Sequence, residues 1–303
     1  GYEKKLKSPS KAFSKTFNDK SFINGRTVKE FENKFAKFVG ADDCVAVSSC
    51  TSALQLSLIA LSVGPGDEVI TVPYTWVSTV EAIRQVGAKP VFVDINANDL
   101  CMDVNKVGQA INSKTKAILP VDLYGNVADI DRLKRFDLPI VEDAAQSTGA
   151  IYKGKRVGGL SHLTCFSFYP TKNLGSWGDA GAVTGDYRYC EQIRELRNHG
   201  QSSKFNVRQV GWNARMDSIQ AEILLGKLPL LDKHNTRRRE IAGMYNEGLA
   251  DLVKVPYQNP NCVHVYHQYV IQSIHIDRIK EALADKKIQS RTYYPTPLND
   301  LKP

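Results

Sequence analysis

The chain has 303 residues, of which 42% are hydrophobic and 24% charged, a composition typical of a globular protein large enough for two domains. It has no apolar run long enough to span a membrane, and no apolar stretch follows the lysine-rich start as it would in a signal peptide. The six cysteines form no CxxC pair and no metal-ligand pattern, so we expect reduced thiols, no metal site and a cytoplasmic protein without a membrane partner.

The formal charge of +8 raises the question of nucleic-acid binding. The basic residues are dispersed, however, and the arginine triplet at 237–239 is typical of a solvated helix face. Neither a basic helix nor a surface pattern of aromatic and basic residues is present, so we expect no nucleic-acid partner. A positive balance also suits a protein whose ligands carry phosphates.

Strand and helix patterns alternate over most of the chain. After a polar lead, residues 1–25, the apolar positions Val28, Phe31 and Phe35 recur at helical spacing. Strands are then predicted at 44–47, 68–72, 90–94, 117–121, 138–143, 163–168 and 181–184, and helices at 53–61, 77–86, 107–111, 130–136, 189–197 and 217–225, the last with Asp217 as its cap. This alternation predicts an α/β fold with a mostly parallel sheet.

The last quarter of the chain has a different pattern. A long charged helix is predicted at 227–249, a strand at 264–271, a helix at 277–285 and an extended piece from 291. We therefore predict a large domain over residues 1–230 and a small α+β domain over residues 231–303.

Polar residues follow several of the predicted strands. Ser48-Ser-Cys-Thr-Ser52 lies between a strand and a helix, where free backbone N–H groups and the helix dipole favour an anion. Ordinary helix capping would explain the same residues. Asp143 ends one strand, Lys172 follows another, and Trp76 follows a third. Ligands of open α/β sheets bind beyond the carboxyl ends of the strands, so these side chains are expected to meet there.

A lysine and an aspartate at neighbouring strand ends are what a pyridoxal phosphate enzyme requires. The amine of Lys172 would form the Schiff base, and Asp143 would keep the pyridine nitrogen protonated so that the ring can act as an electron sink. A single lysine after an aromatic strand is usually a solvated surface residue, so this prediction depends on the convergence of the other strand ends.

Six motifs in order carry a resemblance to a known family. They are Ser-Ser-Cys-Thr-Ser-Ala-Leu at 48–54, Pro-Tyr-Thr-Trp at 73–76, Glu-Asp-Ala-Ala-Gln at 142–146, Phe-Ser-Phe-Tyr-Pro-Thr-Lys-Asn-Leu-Gly at 166–175, Arg-Asn-His-Gly at 197–200 and Gly-Trp-Asn-Ala-Arg-Met at 211–216. From about residue 24 onward the chain resembles the DegT/StrS family of pyridoxal-phosphate sugar aminotransferases. The resemblance implies the aspartate-aminotransferase fold (fold type I), with a mostly parallel central sheet, helices on both faces and a smaller C-terminal α+β domain.

The resemblance also implies roles for individual residues. Lys172 would carry the cofactor, Asp143 would pair with its pyridine nitrogen, and Trp76 would stack on its ring with Gln146 beside it. Thr51, Ser52 and Ser167 would bind its phosphate, completed by Asn213 from the second subunit of a homodimer with a shared active site. Without the family, Trp76 would be interpreted as a core aromatic, Gln146 as a solvated polar residue and Asn213 as a loop cap.

Three positions depart from the family pattern. Cys50 stands where a glycine or small residue is usual, Ala180 replaces a second glycine, and Asn299 stands where members often have histidine, which puts a substrate contact there in doubt. The chain also stops at residue 303, before the C-terminal helices typical of the family, so a shortened small domain is expected.

The function implied is aminotransfer from an amino acid, with glutamate as the expected donor, to a keto sugar attached to a nucleotide. Pyridoxamine phosphate would be the aminated form of the cofactor. His199, Arg215 and Tyr293 are expected to contact the substrate, with Lys204 and Arg208 as further candidates, although solvated surface charge explains the cationic ones equally well.

Two alternatives use the same fold. Sugar dehydratases of this family lack the Schiff-base lysine, so the presence of Lys172 favours aminotransfer. A non-catalytic regulatory protein would be indicated by loss of Lys172 or Asp143, and both are present.

Overall fold

A computed structural model describes residues 14, 16–18 and 20–300. Most of the polar lead predicted as irregular, residues 1–25, therefore lies outside the described residues, as do residues 301–303. Within the described part, no helix is both long and apolar enough to cross a membrane.

Seven of the twelve strands in the described part of the chain form one sheet at the centre of the molecule. In chain order the strands are β1 (Asp43–Val47), β2 (Glu68–Thr71), β3 (Lys89–Phe92), β4 (Thr115–Ile118), β5 (Val141–Asp143), β6 (Ile151–Tyr152), β7 (Lys155–Arg156), β8 (Leu163–Ser167), β9 (Gly181–Gly185), β10 (Gln201–Ser203), β11 (Asn206–Val207) and β12 (Cys262–Val263). The central order is β3-β2-β4-β5-β8-β9-β1, with β4 joined to β5 by two parallel bridges. Six of these seven strands run in the same direction, and β9 runs against them. The predicted mostly parallel sheet is therefore confirmed.

Helices cover both faces of the sheet. They are α1 (Arg26–Val39), α2 (Cys50–Ala60), α3 (Ser78–Gln85), α4 (Val104–Ala110), α5 (Ile130–Leu133), α6 (Tyr187–Leu196), α7 (Ser218–Lys227), α8 (Leu231–Leu249) and α9 (Ile276–Asp285). Asp217 occupies the cap position of α7 as predicted, but its side chain makes no capping hydrogen bond.

Helix α1 shows why the hydrophobic spacing was informative. Phe31 and Phe35 lie on one face and are fully buried. Phe35 packs edge-on against Phe166 of β8 with ring centroids 5.0 Å apart, and Phe31 does the same against Phe168 at 5.4 Å. Helix α1 therefore fixes the strand from which the Lys172 loop begins.

Helix α2 lies under the centre of the sheet and is apolar on nearly all sides, as a fully buried helix must be. Its first turn is capped by Ser49, whose Oγ accepts from the N–H of Ser52 over 3.1 Å. Because the N-terminus of α2 directly follows β1, its free amide groups face the carboxyl edge of the sheet.

The strand predicted at 264–271 is wrong. Only β12, just before it, pairs with another strand, and the chain from His264 onward is irregular. Its backbone groups bond to loops instead: Val265 N–H donates to Gly125 O over 3.0 Å, and the Asn173 amide donates to Val265 O over 3.0 Å. These bonds bring the segment to the same edge of the sheet as Lys172.

The domain division at residue 230 stays a prediction. Helix α7 continues through a short turn, Leu228–Leu230, into the 19 residues of α8. The extended piece from residue 291 returns to the segment that follows β2, where Leu298 N–H donates to Pro73 O over 2.8 Å.

Candidate active site

Asp143 ends β5 with its carboxylate buried at the carboxyl edge of the sheet. Its Oδ2 accepts from Thr79 Oγ1 over 2.8 Å, and its Oδ1 accepts from the Ala145 N–H over 3.2 Å. The Cys50 thiol lies 3.9 Å from Oδ1. Burial raises the pKa of Asp143, while the Thr79 hydroxyl, the Ala145 amide and the charge of Lys172 oppose that rise.

Lys172 lies on the loop that follows β8. Ser176 closes this loop by donating from both its N–H and its Oγ to Phe168 O, over 2.8 and 2.7 Å. Gly175 allows the tight path, because a Cβ there would lie 2.4 Å from Pro170 O. Burial lowers the pKa of Lys172, and the nearby Cys50 and Asp143 groups act in the opposite direction.

Hydroxyl groups surround the N-terminus of α2. Ser52 Oγ lies 3.0 Å from Ser48 Oγ and 3.2 Å from Ser49 Oγ, with Thr51 half-buried beside it. Ser167 ends β8 and faces Gly181 of β9, which in turn faces the end of β1. A Cβ on Gly181 would lie 2.4 Å from the carbonyl carbon of Ser49, so glycine is required for this approach. Ser167 and the α2 hydroxyls therefore lie around one point.

Trp76 and Gln146 lie on the open side of this site. Trp76 is 58% exposed, which excludes a core aromatic, and its ring centroid is 6.2 Å from that of Tyr294. Gln146 is buried rather than solvated: its Oε1 accepts from Tyr124 N–H over 2.7 Å, and its Nε2 donates to Tyr294 Oη over 3.1 Å. Gln146 thus connects the loop after β4 to the C-terminal segment.

Three further predicted residues lie together beside the end of β1, where Val47 pairs with Arg215 and the Ser48 N–H donates to Ala214 O over 3.1 Å. Asn213 is exposed, and its Oδ1 accepts from Arg215 Nε over 3.0 Å. Arg215 also donates to Asn198 Oδ1 over 3.3 Å, next to the exposed His199. Among the described residues, no hydrogen bond joins this patch to Lys172 or Asp143.

The remaining predicted contacts are exposed or structural. Lys204 lies over the ring of Phe205 at 5.1 Å, and Arg208 lies 3.5 Å from Glu195, all on or beside the β10–β11 hairpin. The carbonyl oxygen of Tyr293 accepts from the hydroxyl groups of Tyr74 and Tyr124. The side chain that faces Gln146 and Trp76 is that of Tyr294.

Sequence reasoning missed four residues of this site: Thr79, Cys50 as a neighbour of Asp143, Tyr294 and His267. Thr79 could have been noticed as a hydroxyl residue near the start of the helix that follows Trp76, at the carboxyl edge of the sheet; its hydroxyl lies 3.0 Å from that of Thr75. His267 was hidden by the wrong strand prediction. Burial and the charges of Lys172 and Arg238 lower its pKa to about 3.

These residues fit a planar phosphorylated cofactor. The buried carboxylate of Asp143 keeps acceptor capacity at Oδ1, where a thiol and one amide are its contacts, and this suits a ring N–H donor. Hydroxyls and free amides at the start of α2 suit a phosphate. Exposed Trp76 offers a flat apolar face for the ring, and the half-buried Lys172 near Asp143 provides the amine.

Comparison with known proteins agrees with this geometry. The chain matches the model of the DegT/DnrJ/EryC1/StrS aminotransferase family over residues 5–303. It is 40% identical over 284 residues to the UDP-2-acetamido-2-deoxy-3-oxo-D-glucuronate aminotransferase of Pseudomonas aeruginosa, covering 92% of this chain and 79% of the relative. It is 39% identical over 305 residues to the dTDP-3-amino-3,4,6-trideoxy-alpha-D-glucose transaminase of Streptomyces venezuelae, covering 98% and 80%. The crystal structure of NtdA from Bacillus subtilis with bound cofactor PMP superposes with a TM-score of 0.91 at 30% identity, covering 97% of this chain and 70% of that one.

Proposed function

The chain belongs to the DegT/DnrJ/EryC1/StrS aminotransferase family and is a pyridoxal-phosphate-dependent aminotransferase, and from this premise we propose that it aminates a keto sugar carried on a nucleotide. We propose glutamate as the amino donor. The observation that carries the proposal is the placement of the Lys172 amine beside the buried Asp143 carboxylate, in a chain whose relatives act on nucleotide-linked sugars.

Pyridoxal phosphate, when bound, supplies an electron sink for the carbon that loses or gains a proton. In the proposal Asp143 accepts a hydrogen bond from the pyridine nitrogen, and Thr79 keeps that carboxylate oriented. Trp76 covers one face of the ring. Thr51, Ser52 and Ser167 hold the phosphate, and their clustering around the start of α2 supports this assignment.

Lys172 is proposed as the proton carrier. Because burial lowers its pKa, a larger fraction of the amine is neutral near pH 7 than for an exposed lysine. A neutral Nζ can take the proton from the α-carbon of the donor, hold it as an ammonium, and return it to the neighbouring acceptor carbon. The closed loop held by Ser176 keeps this amine in place.

We also propose a cytoplasmic homodimer in which Asn213, His199 and Arg215 serve the partner's active site. The exposure of Asn213 and His199 at the surface supports the shared site. Arg215 would bind a phosphate of the nucleotide. All six cysteines are unpaired, which supports a reducing compartment.

The C-terminal segment contributes the other proposed substrate contact. The hydroxyl of Tyr293 was the predicted contact, but the geometry favours Tyr294, whose ring lies beside Trp76. Burial raises the pKa of Tyr294 to about 12, so its hydroxyl stays a neutral donor. Because its Oη accepts from Gln146 Nε2, the hydroxyl proton of Tyr294 stays available, and we propose that it donates to a sugar hydroxyl.

Product analysis tests this function. The purified protein is incubated with pyridoxal phosphate, a set of amino acids and 3-keto or 4-keto sugars linked to UDP or dTDP. The sugar products are then identified by mass spectrometry. We expect conversion of a ketone to an amine with glutamate as the best donor. Loss of water without gain of nitrogen would favour the dehydratase alternative.

A further inference from the structure

His267 lies on the irregular segment 264–268, whose backbone is fixed on two sides. Two amide N–H groups of the segment donate to carbonyl oxygens of the loop 123–126, over 3.0 and 3.3 Å. From α8, the guanidinium of Arg238 donates to the carbonyl oxygen of Tyr266 over 3.1 Å and to that of His267 over 3.5 Å. The imidazole is therefore presented from a rigid backbone.

The segment is also joined to the residue that follows Lys172. The Asn173 side-chain amide donates to the Val265 carbonyl oxygen over 3.0 Å, two residues before His267. Burial and, after it, the charges that face the ring, Lys172 and Arg238, together lower the pKa of His267 to about 3. The imidazole is thus neutral near pH 7 and lies within reach of the lysine charge.

One nitrogen of this imidazole has no hydrogen-bond partner. Nδ1 of His267 is buried and bonds to no other atom of the described part of the chain. His264, on the same segment, shows the ordinary arrangement, because its Nδ1 accepts from the Tyr266 N–H over 2.9 Å. Buried polar groups are nearly always paired, so the unpartnered Nδ1, on a segment bonded to the Lys172 loop, indicates a partner that arrives during the reaction.

We propose that His267 is a positioning residue whose Nδ1 accepts a hydrogen bond from the Lys172 ammonium once that amine has taken up a proton. The inference rests on the proposed role of Lys172. An amine that is released and re-used must be held close to the reacting carbons, since small displacements are costly in rate. A neutral acceptor holds the ammonium less tightly than a carboxylate would, so the proton can still leave.

Acetylation of the full chain freed of cofactor tests this proposal without turnover. Acetic anhydride reacts with the neutral form of an amine, and peptide mass spectrometry gives the rate at Lys172 relative to an exposed lysine such as Lys29. We expect His267→Leu to raise the rate at Lys172 near pH 7 by roughly tenfold, since loss of a hydrogen bond to the ammonium lowers the amine pKa by about one unit.

Two polar variants and one control decide the assignment. His267→Asn places an amide oxygen near the Nδ1 position and should keep the wild-type rate, whereas His267→Gln places it near Nε2 and should behave like the leucine variant. His264→Asn is the matched control and should leave the rate at Lys172 unchanged.

Equal rates in wild type and His267→Leu, or the same increase for the Asn and Gln variants, would overturn the proposal. If the leucine variant does not fold, the comparison of Asn with Gln decides alone. No substrate is present, so a failure of the proposed sugar amination would leave this result unaffected.

Discussion

Thr79→Val removes the hydroxyl that orients Asp143 and changes little else in shape. The lost bond is 2.8 Å long and joins Thr79 Oγ1 to a carboxylate oxygen inside the protein. A hydrogen bond to a charged group contributes about 1.5–3 kcal/mol. Because this bond stabilises the ionised carboxylate more than the protonated one, its loss should raise the pKa of Asp143 above its already raised position.

The sign of the pH dependence follows from which form the bond stabilises. Thr79 favours the ionised carboxylate, so its loss should lower the free energy of unfolding by about 1.5–3 kcal/mol above the pKa of Asp143. Below that pKa the carboxyl is protonated, and only a neutral bond of about 0.5–1.5 kcal/mol is lost. The penalty should therefore shrink as the pH falls.

Urea unfolding of wild type and Thr79→Val from about pH 5 to 9 measures this difference. Thr75→Val is the matched control, because the Thr75 hydroxyl contacts Thr79 and, within the described part of the chain, makes no hydrogen bond to Asp143. We expect a smaller loss for the control, with little pH dependence. A Thr79→Val penalty that is constant with pH would refute the link between this hydroxyl and the charge of Asp143.

Two further predictions concern stability and assembly. Burial and mutual repulsion raise the pKa of Asp122, and burial raises that of Glu142, so the folded chain holds a proton that the unfolded chain releases above about pH 4. The stability that this pair contributes is lost as the pH rises. Glu142→Gln stays neutral and should therefore be more stable than wild type near pH 7–8 in urea titrations. An unchanged slope of the free energy of unfolding against pH would contradict this. Mixed Lys172→Ala and Asn213→Ala subunits should regain part of the activity through hybrid dimers with one intact site, whereas inactivity after verified subunit exchange would contradict the shared site.

The sequence was most informative where local pattern determines structure. Phe31 and Phe35 at helical spacing defined α1, and Asp143 at the end of an apolar run defined the edge of the sheet at which it lies. Both inferences need only the period of the element and the rule that parallel strands end on one edge. The match to family motifs then added roles that spacing alone could not give.

Contacts between distant parts of the chain could not be predicted in this way. Segment 264–271 is rich in β-branched and aromatic residues like a strand, yet its backbone groups bond to the loops at Gly125 and Asn173. Tyr293 and Tyr294 are adjacent, and only the path of the chain across Trp76 distinguishes them. The orphan nitrogen of His267 likewise depends on what surrounds it in three dimensions, which no local pattern records.

The visible absorption spectrum of the purified chain with pyridoxal phosphate, before and after glutamate, tests the central claim most directly. We predict a yellow band that is absent in Lys172→Ala and that glutamate converts to a near-ultraviolet band. A band that forms in wild type but does not respond to glutamate would contradict the proposed donor. A spectrum identical in wild type and Lys172→Ala would contradict the assignment of Lys172 and with it the account of this site.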